Sequence, residues 1–130
     1  MAKKILIIDD SALMRRVISD IIKTNKQYEV ADFARDGLEG FDRIVSHPKM
    51  YDAIILDINM PKMNGLELLE MLQKNHIQET VIVVSTVAKE GAKETIKALE
   101  LGAFDFVTKP ENFIEAKGED FKQRILAVSY

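Results

Sequence analysis

Three short apolar runs, each four residues long and rich in β-branched side chains, constrain the fold of this 130-residue chain more than any other feature. The runs are Ile5 to Ile8, Ala53 to Leu56 and Val81 to Val84. None of them shows the alternation of apolar and polar residues that marks a strand with one face in water. Uninterrupted runs of this kind are typical of strands that are buried on both faces, as in a parallel sheet.

The segments between these runs have apolar residues at helical spacing, and each predicts a helix that buries one face. The predicted buried residues are, in chain order, Leu13, Val17, Ile21, Leu38, Phe41, Ile44, Val45, Leu66, Leu69, Leu72, Ile96, Leu99, Phe121, Ile125 and Val128. Weaker strands are predicted near Tyr28 to Ala34 and Asp105 to Val107. Strands that alternate with helices in this way predict a doubly wound α/β fold with a parallel sheet.

Helix breakers agree with these boundaries. Gly37 opens the second predicted helix, Pro61 and Gly65 bracket the loop before the third, and Gly102 ends the fourth. The stretch from Pro110 to Gly118 predicts a longer, mobile surface loop before the last helix.

Composition limits the class of protein. The length predicts a single domain over residues 1–130, and the net charge of −3 lacks the basic footprint of a nucleic-acid binder. The chain has no cysteine, its N-terminus lacks the apolar stretch of a signal peptide, and no apolar run approaches the length of a membrane span. We therefore expect a cytoplasmic monomer that contacts neither nucleic acid nor membrane.

Polar residues follow the predicted strands at the point where each strand ends. Asp9 and Asp10 follow the first run, Asp57 the second, Ser85 the third, and Lys109 the last predicted strand. Ligands of open α/β sheets bind at the carboxyl ends of the strands, where the strand order reverses. The sequence therefore predicts one crevice that holds three carboxylates, a hydroxyl and an ammonium.

This set of groups suits phosphoryl transfer with a metal ion. Three acids in one crevice repel one another unless a cation is bound, and oxygen donors without a histidine favour Mg²⁺. His47 and His76 fall outside the predicted crevice. Lys109 would supply a second positive charge, and Ser85 a hydrogen-bond donor to the phosphoryl group. The alternative for Asp10-Ser11 alone is a helix N-cap.

The polar motifs resemble those of the receiver domains of two-component response regulators over the whole chain. They are Asp9-Asp10-Ser11, the stretch from Asp57 to Gly65, Val84-Ser85, and the stretch from Phe106 to Pro110. The resemblance implies a flavodoxin-like (βα)5 fold with strand order 2-1-3-4-5. It also implies that Asp57 takes a phosphoryl group from a sensor histidine kinase. Asp10, Asp57 and the main-chain carbonyl of Asn59 would bind Mg²⁺, with Asp9 reaching the ion through water.

The same resemblance implies a switch. Ser85 would move to the phosphate and Phe106 would turn inward, which reshapes the face formed by helix 4, strand 5 and helix 5. The alternative for Phe106 is a core aromatic with no signalling role. The family also implies a cis peptide bond between Lys109 and Pro110. Thr86 departs from the family, which usually has a small residue after the switch position.

The stretch from Gly91 to Pro110 resembles more narrowly the receiver of the chemotaxis protein-glutamate methylesterase. This chain has no Gly-x-Ser-x-Gly elbow, and the residues after Pro110 are too few for a hydrolase domain. We therefore expect no enzyme activity beyond slow self-dephosphorylation. The chain is expected to be either the regulatory half of such a methylesterase or a stand-alone regulator with another protein target.

Three rival functions fit the sequence less well. A phosphatase of the haloacid dehalogenase type needs a second acid two residues after the nucleophile, and Asn59 stands there. A calcium-binding EF-hand that starts at Asp57 would need a glycine at Lys62 and a glutamate at Leu68. An inert interaction module would not need the complete set of acidic residues.

Overall fold

The structure is a computed structural model that describes residues 2–86, 92–110 and 119–129. Strands and helices alternate through these residues. The strands are β1 (Lys3–Ile8), β2 (Tyr28–Ala34), β3 (Ala53–Leu56), β4 (Val81–Ser85) and β5 (Asp105–Thr108). The helices are α1 (Ala12–Lys23), α2 (Gly37–Ser46), α3 (Gly65–Lys74), α4 (Lys93–Glu100) and α5 (Glu119–Ser129). The predicted mobile loop falls largely on residues 111–118, which lie outside the described residues.

The five strands form one parallel sheet in the order β2-β1-β3-β4-β5. The predicted doubly wound α/β fold and its strand order are therefore confirmed. The register pairs Ile8 at the end of β1 with Leu56 at the end of β3, and Ser85 on β4 with Thr108 on β5. These pairings align the carboxyl ends of the central strands, so the residues that follow them share one edge of the sheet.

A hydrophobic cluster covers each face of the sheet, because successive strand residues point to opposite faces. Leu6 and Ile8 belong to the cluster that includes residues of α2, α3 and α4. Ile5 and Ile7 belong to the cluster that includes residues of α1 and α5. All four of these β1 residues have no exposed surface. The prediction that the apolar runs are buried on both faces is confirmed.

The predicted helix faces are wrong in part. The exposed members of the predicted set are Leu13, Leu38, Val45, Ile96 and Leu99. The disagreement is greatest on α4, which buries Thr95 and Ala98 instead of its larger apolar residues. Small side chains let a helix approach its neighbours closely, and the solvent-facing surface of α4 keeps Ile96 and Leu99 beside charged residues. The side chain of Val128 lies outside the described ones.

None of the helices in the described part of the chain is both long and apolar enough to cross a membrane. The cytoplasmic location and the monomeric state remain predictions.

Candidate functional site

Two nearly buried carboxylates stand at the ends of neighbouring strands. Asp9 follows β1 and is 1% exposed, while Asp57 follows β3 and is 6% exposed. The main-chain N–H of Asp57 donates to the carbonyl of Ile8 at 2.9 Å, which continues the strand pairing up to the acid. Asp10 is exposed, and one carboxylate oxygen from each of Asp9, Asp10 and Asp57 lies within 4.8 Å of the others. The structure thus brings the three predicted acids together.

The start of α1 fixes the position of Asp9. The N-cap of this helix is Ser11 rather than Asp10, because the Ser11 hydroxyl accepts the N–H of Met14 at 3.1 Å. The N–H of Ser11 donates to Oδ1 of Asp9 at 2.9 Å. The Arg15 guanidinium donates to the main-chain carbonyl of Asp9 at 2.7 Å. No sequence motif predicts a structural role for Arg15, because its contact with Asp9 depends on how α1 begins.

Lys109 lies between the two buried acids. Its Nζ is 2.8 Å from Oδ2 of Asp9 and 3.2 Å from Oδ2 of Asp57, and its side chain is 11% exposed. Burial acts to lower the pKa of Lys109, but the attraction of Asp9 and Asp57 outweighs it, so the pKa is raised and the ammonium stays charged. The predicted charge partner of the acids is therefore in place.

The pKa of Asp9 is raised as well. Burial is the main cause, attraction to Lys109 opposes it, and repulsion from Asp57 adds to it. The charged form of Asp9 is thus less favourable than that of a free aspartate, even with an ammonium close by. A further cation would relieve this repulsion. The group consists of carboxylate oxygens alone, the donors that Mg²⁺ prefers, and so it fits that ion.

The prediction of a cis bond before Pro110 is wrong, because no cis peptide bond occurs among the described residues. The bend is not needed to direct Lys109 toward the acids. β5 ends beside β4, and the main-chain N–H of Lys109 donates to the carbonyl of Ser85 at 2.9 Å. Strand pairing therefore already places Lys109 at the edge where Asp57 lies.

The two predicted switch residues have different surroundings. Ser85 is 1% exposed, and its hydroxyl oxygen makes no hydrogen bond within the described part of the chain. A buried hydroxyl without a partner is costly and is a donor available to a ligand. Phe106 is half-buried and packs against the cluster that contains Leu6. Thr86, which follows Ser85, is exposed.

The loop between β3 and α3 places Asn59 in solvent and brings the start of α3 close to Asp57. Asn64 and Glu67 form a capping box, and the N–H of Gly65 donates to the carbonyl of Ile58 at 2.8 Å. A Cβ atom at position 65 would lie 2.3 Å from the main-chain oxygen of Asp57. The sequence identified Gly65 as a helix breaker and missed this close approach. The Asn-x-x-Glu pattern was the available signal of a capped helix.

Comparison with known proteins identifies the family of this chain. A family model described as the response regulator receiver domain matches residues 5–117. The chain belongs to the response regulator receiver family. Receiver domains bind Mg²⁺ at an acidic pocket, and the structure contains an acidic group formed by Asp9, Asp10 and Asp57.

Among receivers, the similarity extends to methylesterases. The chain is 42% identical over 124 residues to a protein-glutamate methylesterase/protein-glutamine glutaminase of Pyrococcus horikoshii, covering 95% of this chain and 33% of the relative. It is 43% identical over 111 residues to the Thermotoga maritima protein of the same name, covering 85% of this chain and 31% of the relative. This receiver therefore spans about a third of the length of these relatives.

Solved structures give the same relationship. The response regulator domain of Thermotoga maritima CheB has a TM-score of 0.83 and 36% identity, covering 99% of this chain and 97% of that chain. A CheY-like receiver domain protein from Methanospirillum hungatei has a TM-score of 0.70 and 27% identity, covering 98% and 97%. The receiver is thus related to the receiver of CheB and also aligns with a CheY-like protein along almost its entire chain.

Proposed function

We propose that this receiver accepts a phosphoryl group on Asp57 from the phosphohistidine of a sensor histidine kinase, in a reaction that requires Mg²⁺. One observation carries the proposal: the nearly buried Asp57 carboxylate ends a central strand, 3.2 Å from the Lys109 ammonium and beside two further carboxylates. An oxygen of Asp57 attacks phosphorus as the P–N bond of the phosphohistidine breaks. The imidazole leaves with the bonding electrons and takes up a proton.

The neighbouring residues have distinct parts in this proposal. The N–H of Ile58 donates to Oδ1 of Asp57 at 2.8 Å and so orients the carboxylate. The Lys109 ammonium would stabilise negative charge on a phosphoryl oxygen, and the unpartnered Ser85 hydroxyl would donate to another. Asp9, Asp10 and the carbonyl of Asn59, together with Asp57, would hold Mg²⁺. When bound, the ion supplies positive charge that offsets both the carboxylates and the incoming phosphoryl oxygens.

The resulting acyl phosphate would act on a two-state switch. It favours the arrangement in which Ser85 reaches the phosphate and Phe106 turns inward, so the populations of the two states shift. The affected face is that of α4, β5 and α5, where the structure leaves Ile96, Leu99 and Phe104 exposed. Apolar side chains in solvent at a switch surface favour a protein partner.

We propose a methylesterase output domain as that partner, in a chemotaxis pathway, because the relatives that match this receiver over a third of their length bear that name. A coupling of about 1 to 3 kcal/mol between phosphorylation and the contact would be enough to release such a domain. A stand-alone regulator with another protein target is the second candidate. The alignment with 97% of the CheY-like chain favours it.

Acetyl phosphate tests the acceptor directly. Intact-mass spectrometry after incubation with acetyl phosphate and MgCl₂ should show one added phosphoryl group. Asp57→Asn should abolish the addition, EDTA should prevent it, and Lys109→Met should slow it. The matched control is Lys97→Met, which removes an exposed lysine of α4. Labelling that persists in Asp57→Asn or without a metal contradicts the proposal.

The output face needs a separate experiment. Lys93 and Lys97 are exposed on α4, so Lys93→Gln and Lys97→Gln should leave phosphorylation unchanged. Binding of a separately expressed methylesterase hydrolase domain should weaken in both variants. Unchanged binding across the α4, β5 and α5 face would contradict the methylesterase assignment and favour the stand-alone regulator.

A further inference from the structure

A shallow groove beside the edge strand β2 is lined by arginine side chains. Its volume is about 480 Å³, and four of the five arginines of the chain line it, although the net charge of the chain is −3. They are Arg15 and Arg16 on α1, Arg35 just before α2, and Arg43 on α2. We call this surface the arginine groove. Segments far apart in the sequence meet here, so the concentration of positive charge is a product of the fold.

The acids in the lining offset only part of this charge. Arg35 lies 3.2 Å from Glu39 and Arg43 lies 3.5 Å from Asp32, and these are the two acids that line the groove. Among the lining residues, four arginines and two acids leave an excess of two positive charges, of which Asp20 outside the lining offsets a part through its exposed pair with Arg16. The groove therefore attracts anions.

The two arginines of α1 in the groove have different partners. Arg16 pairs with Asp20 at 3.6 Å, and both side chains are largely exposed, so water and salt screen the pair. Arg15 is held by the main-chain carbonyl of Asp9, and no ion pair of Arg15 occurs among the residues that the structure describes. A neutral acceptor thus orients the Arg15 guanidinium without cancelling its charge.

Arg43 has an unsatisfied donor in the wall of the groove. Its Nε is buried, and it makes no hydrogen bond within the described ranges, because the approach of Asp32 lacks hydrogen-bond geometry. Buried N–H groups without an acceptor are uncommon in native proteins. The ion pair with Asp32 therefore leaves part of the hydrogen-bonding capacity of the Arg43 guanidinium unused.

Phe33 adds an aromatic surface to the same lining. It lies on β2 and is 40% exposed, among the large apolar side chains that remain in solvent. A planar ring next to guanidinium groups offers stacking to another flat ring. The arginine groove therefore combines sites for phosphate oxygens with a site for a ring.

We propose that the arginine groove binds a nucleoside phosphate, with its phosphates on the arginines and its base against Phe33. Guanidinium forks match pairs of phosphate oxygens, and aromatic faces stack on bases. This site does not include Asp57 or Lys109, and so the proposal is independent of the proposed phosphoryl transfer.

Isothermal titration calorimetry and NMR test the proposal in low-salt buffer with EDTA, so that the acid site does not contribute through a metal. The probes are ADP, adenosine, pyrophosphate and a tetraglutamate peptide. ADP should bind most tightly and should shift the amide resonances of Phe33 and the side-chain resonances of Arg15 and Arg43. Pyrophosphate should bind more weakly, and adenosine and tetraglutamate weakest.

Two variants with the same loss of charge separate the groove from general electrostatics. Arg16→Gln combined with Arg35→Gln removes exposed groove arginines and should weaken ADP binding roughly tenfold or more. Lys23→Gln combined with Lys26→Gln removes two exposed lysines near the other end of α1 and should change it less than about twofold. Phe33→Leu should weaken ADP binding and leave pyrophosphate binding unchanged.

Several results overturn the proposal. The first is the absence of ADP binding at millimolar concentration. The second is an equal loss of ADP affinity in the two double variants. The third is a set of resonance shifts at Lys109 in place of Arg15 and Arg43. If tetraglutamate binds as tightly as ADP, the groove recognises negative charge alone and would bind an acidic protein segment equally well. Equal affinities for pyrophosphate and ADP would show that the base makes no favourable contact with Phe33.

Discussion

Replacing Lys109 with methionine removes the ammonium that holds two carboxylates together and keeps the length of the side chain. In the parent protein, Nζ of Lys109 lies 2.8 Å from Asp9 and 3.2 Å from Asp57, with all three side chains largely buried. At an effective dielectric of 20, these two attractions amount to about 6 and 5 kcal/mol before desolvation. The burial of three charges offsets most of this gain.

The net change in the free energy of unfolding depends on the charges that remain after the substitution. Asp9, Asp10 and Asp57 would stay within 4.8 Å of one another, and at the same dielectric two charges that far apart repel by about 3.5 kcal/mol. Removal of one partner of a buried ion pair typically costs about 3 to 5 kcal/mol. We therefore expect Lys109→Met to lower the free energy of unfolding of the metal-free domain by about 3 to 5 kcal/mol at pH 7.

Urea unfolding in EDTA measures this loss, provided that the slope with denaturant is unchanged. Lys97→Met is the control, and this exposed site should change stability by less than about 0.5 kcal/mol. Added Mg²⁺ should recover more stability in Lys109→Met than in the parent, because the ammonium and the ion compete for the same carboxylates. A loss below about 1 kcal/mol, or an identical Mg²⁺ response, would refute this account of Lys109.

Four further substitutions test other parts of the structure by thermal or urea unfolding. Asp10→Asn should raise the melting temperature of the metal-free domain and weaken its response to Mg²⁺, since it removes both repulsion and a ligand; a lower melting temperature would contradict this. Gly65→Ala should cost about 1 to 3 kcal/mol and slow phosphorylation by acetyl phosphate, because the new Cβ meets the main chain of Asp57; an unchanged stability would show that the loop yields. Thr95→Val should stabilise by about 1 kcal/mol, because the buried hydroxyl has no partner among the described residues; destabilisation would reveal a hidden hydrogen bond. Burial raises the pKa of Glu79, so the contribution of this carboxyl to stability falls as pH rises through that pKa. Glu79→Gln should therefore raise the melting temperature at pH 7 and leave it equal to that of the parent at about pH 4. A difference in melting temperature that does not change with pH would rule out titration of Glu79 as the cause.

The sheet and the acid cluster could be predicted from the sequence because both depend on local patterns. The uninterrupted run from Ile5 to Ile8 predicts a strand buried on both faces, whatever its neighbours are. Parallel strands share one carboxyl edge, so the acids after β1 and β3 had to meet. Ser85 and Lys109 reach the same edge for the same reason.

Features that depend on tertiary packing could not be predicted in this way. Helical spacing marks Ile96 and Leu99 as one face of α4, but the helix packs through the smaller Thr95 and Ala98. The trans bond before Pro110 corrects an expectation that came from the family and not from this sequence.

Contacts between segments that are distant in the sequence could not be predicted for a similar reason. The close approach of Gly65 to Asp57 depends on how α3 returns to the sheet. The arginine groove depends on the meeting of α1, β2 and α2, and no spacing along the chain marks it.

The identity of the phosphorylated side chain decides whether Asp57 is the acceptor. The domain is treated with acetyl phosphate and Mg²⁺, the acyl phosphate is reduced with borohydride, and the modified peptide is sequenced by mass spectrometry. We expect a single modified residue, Asp57, which follows β3 and whose carboxylate lies beside Lys109. Modification at Asp9 or Asp10, or at none of the three acids while the protein remains folded and binds Mg²⁺, would contradict this expectation.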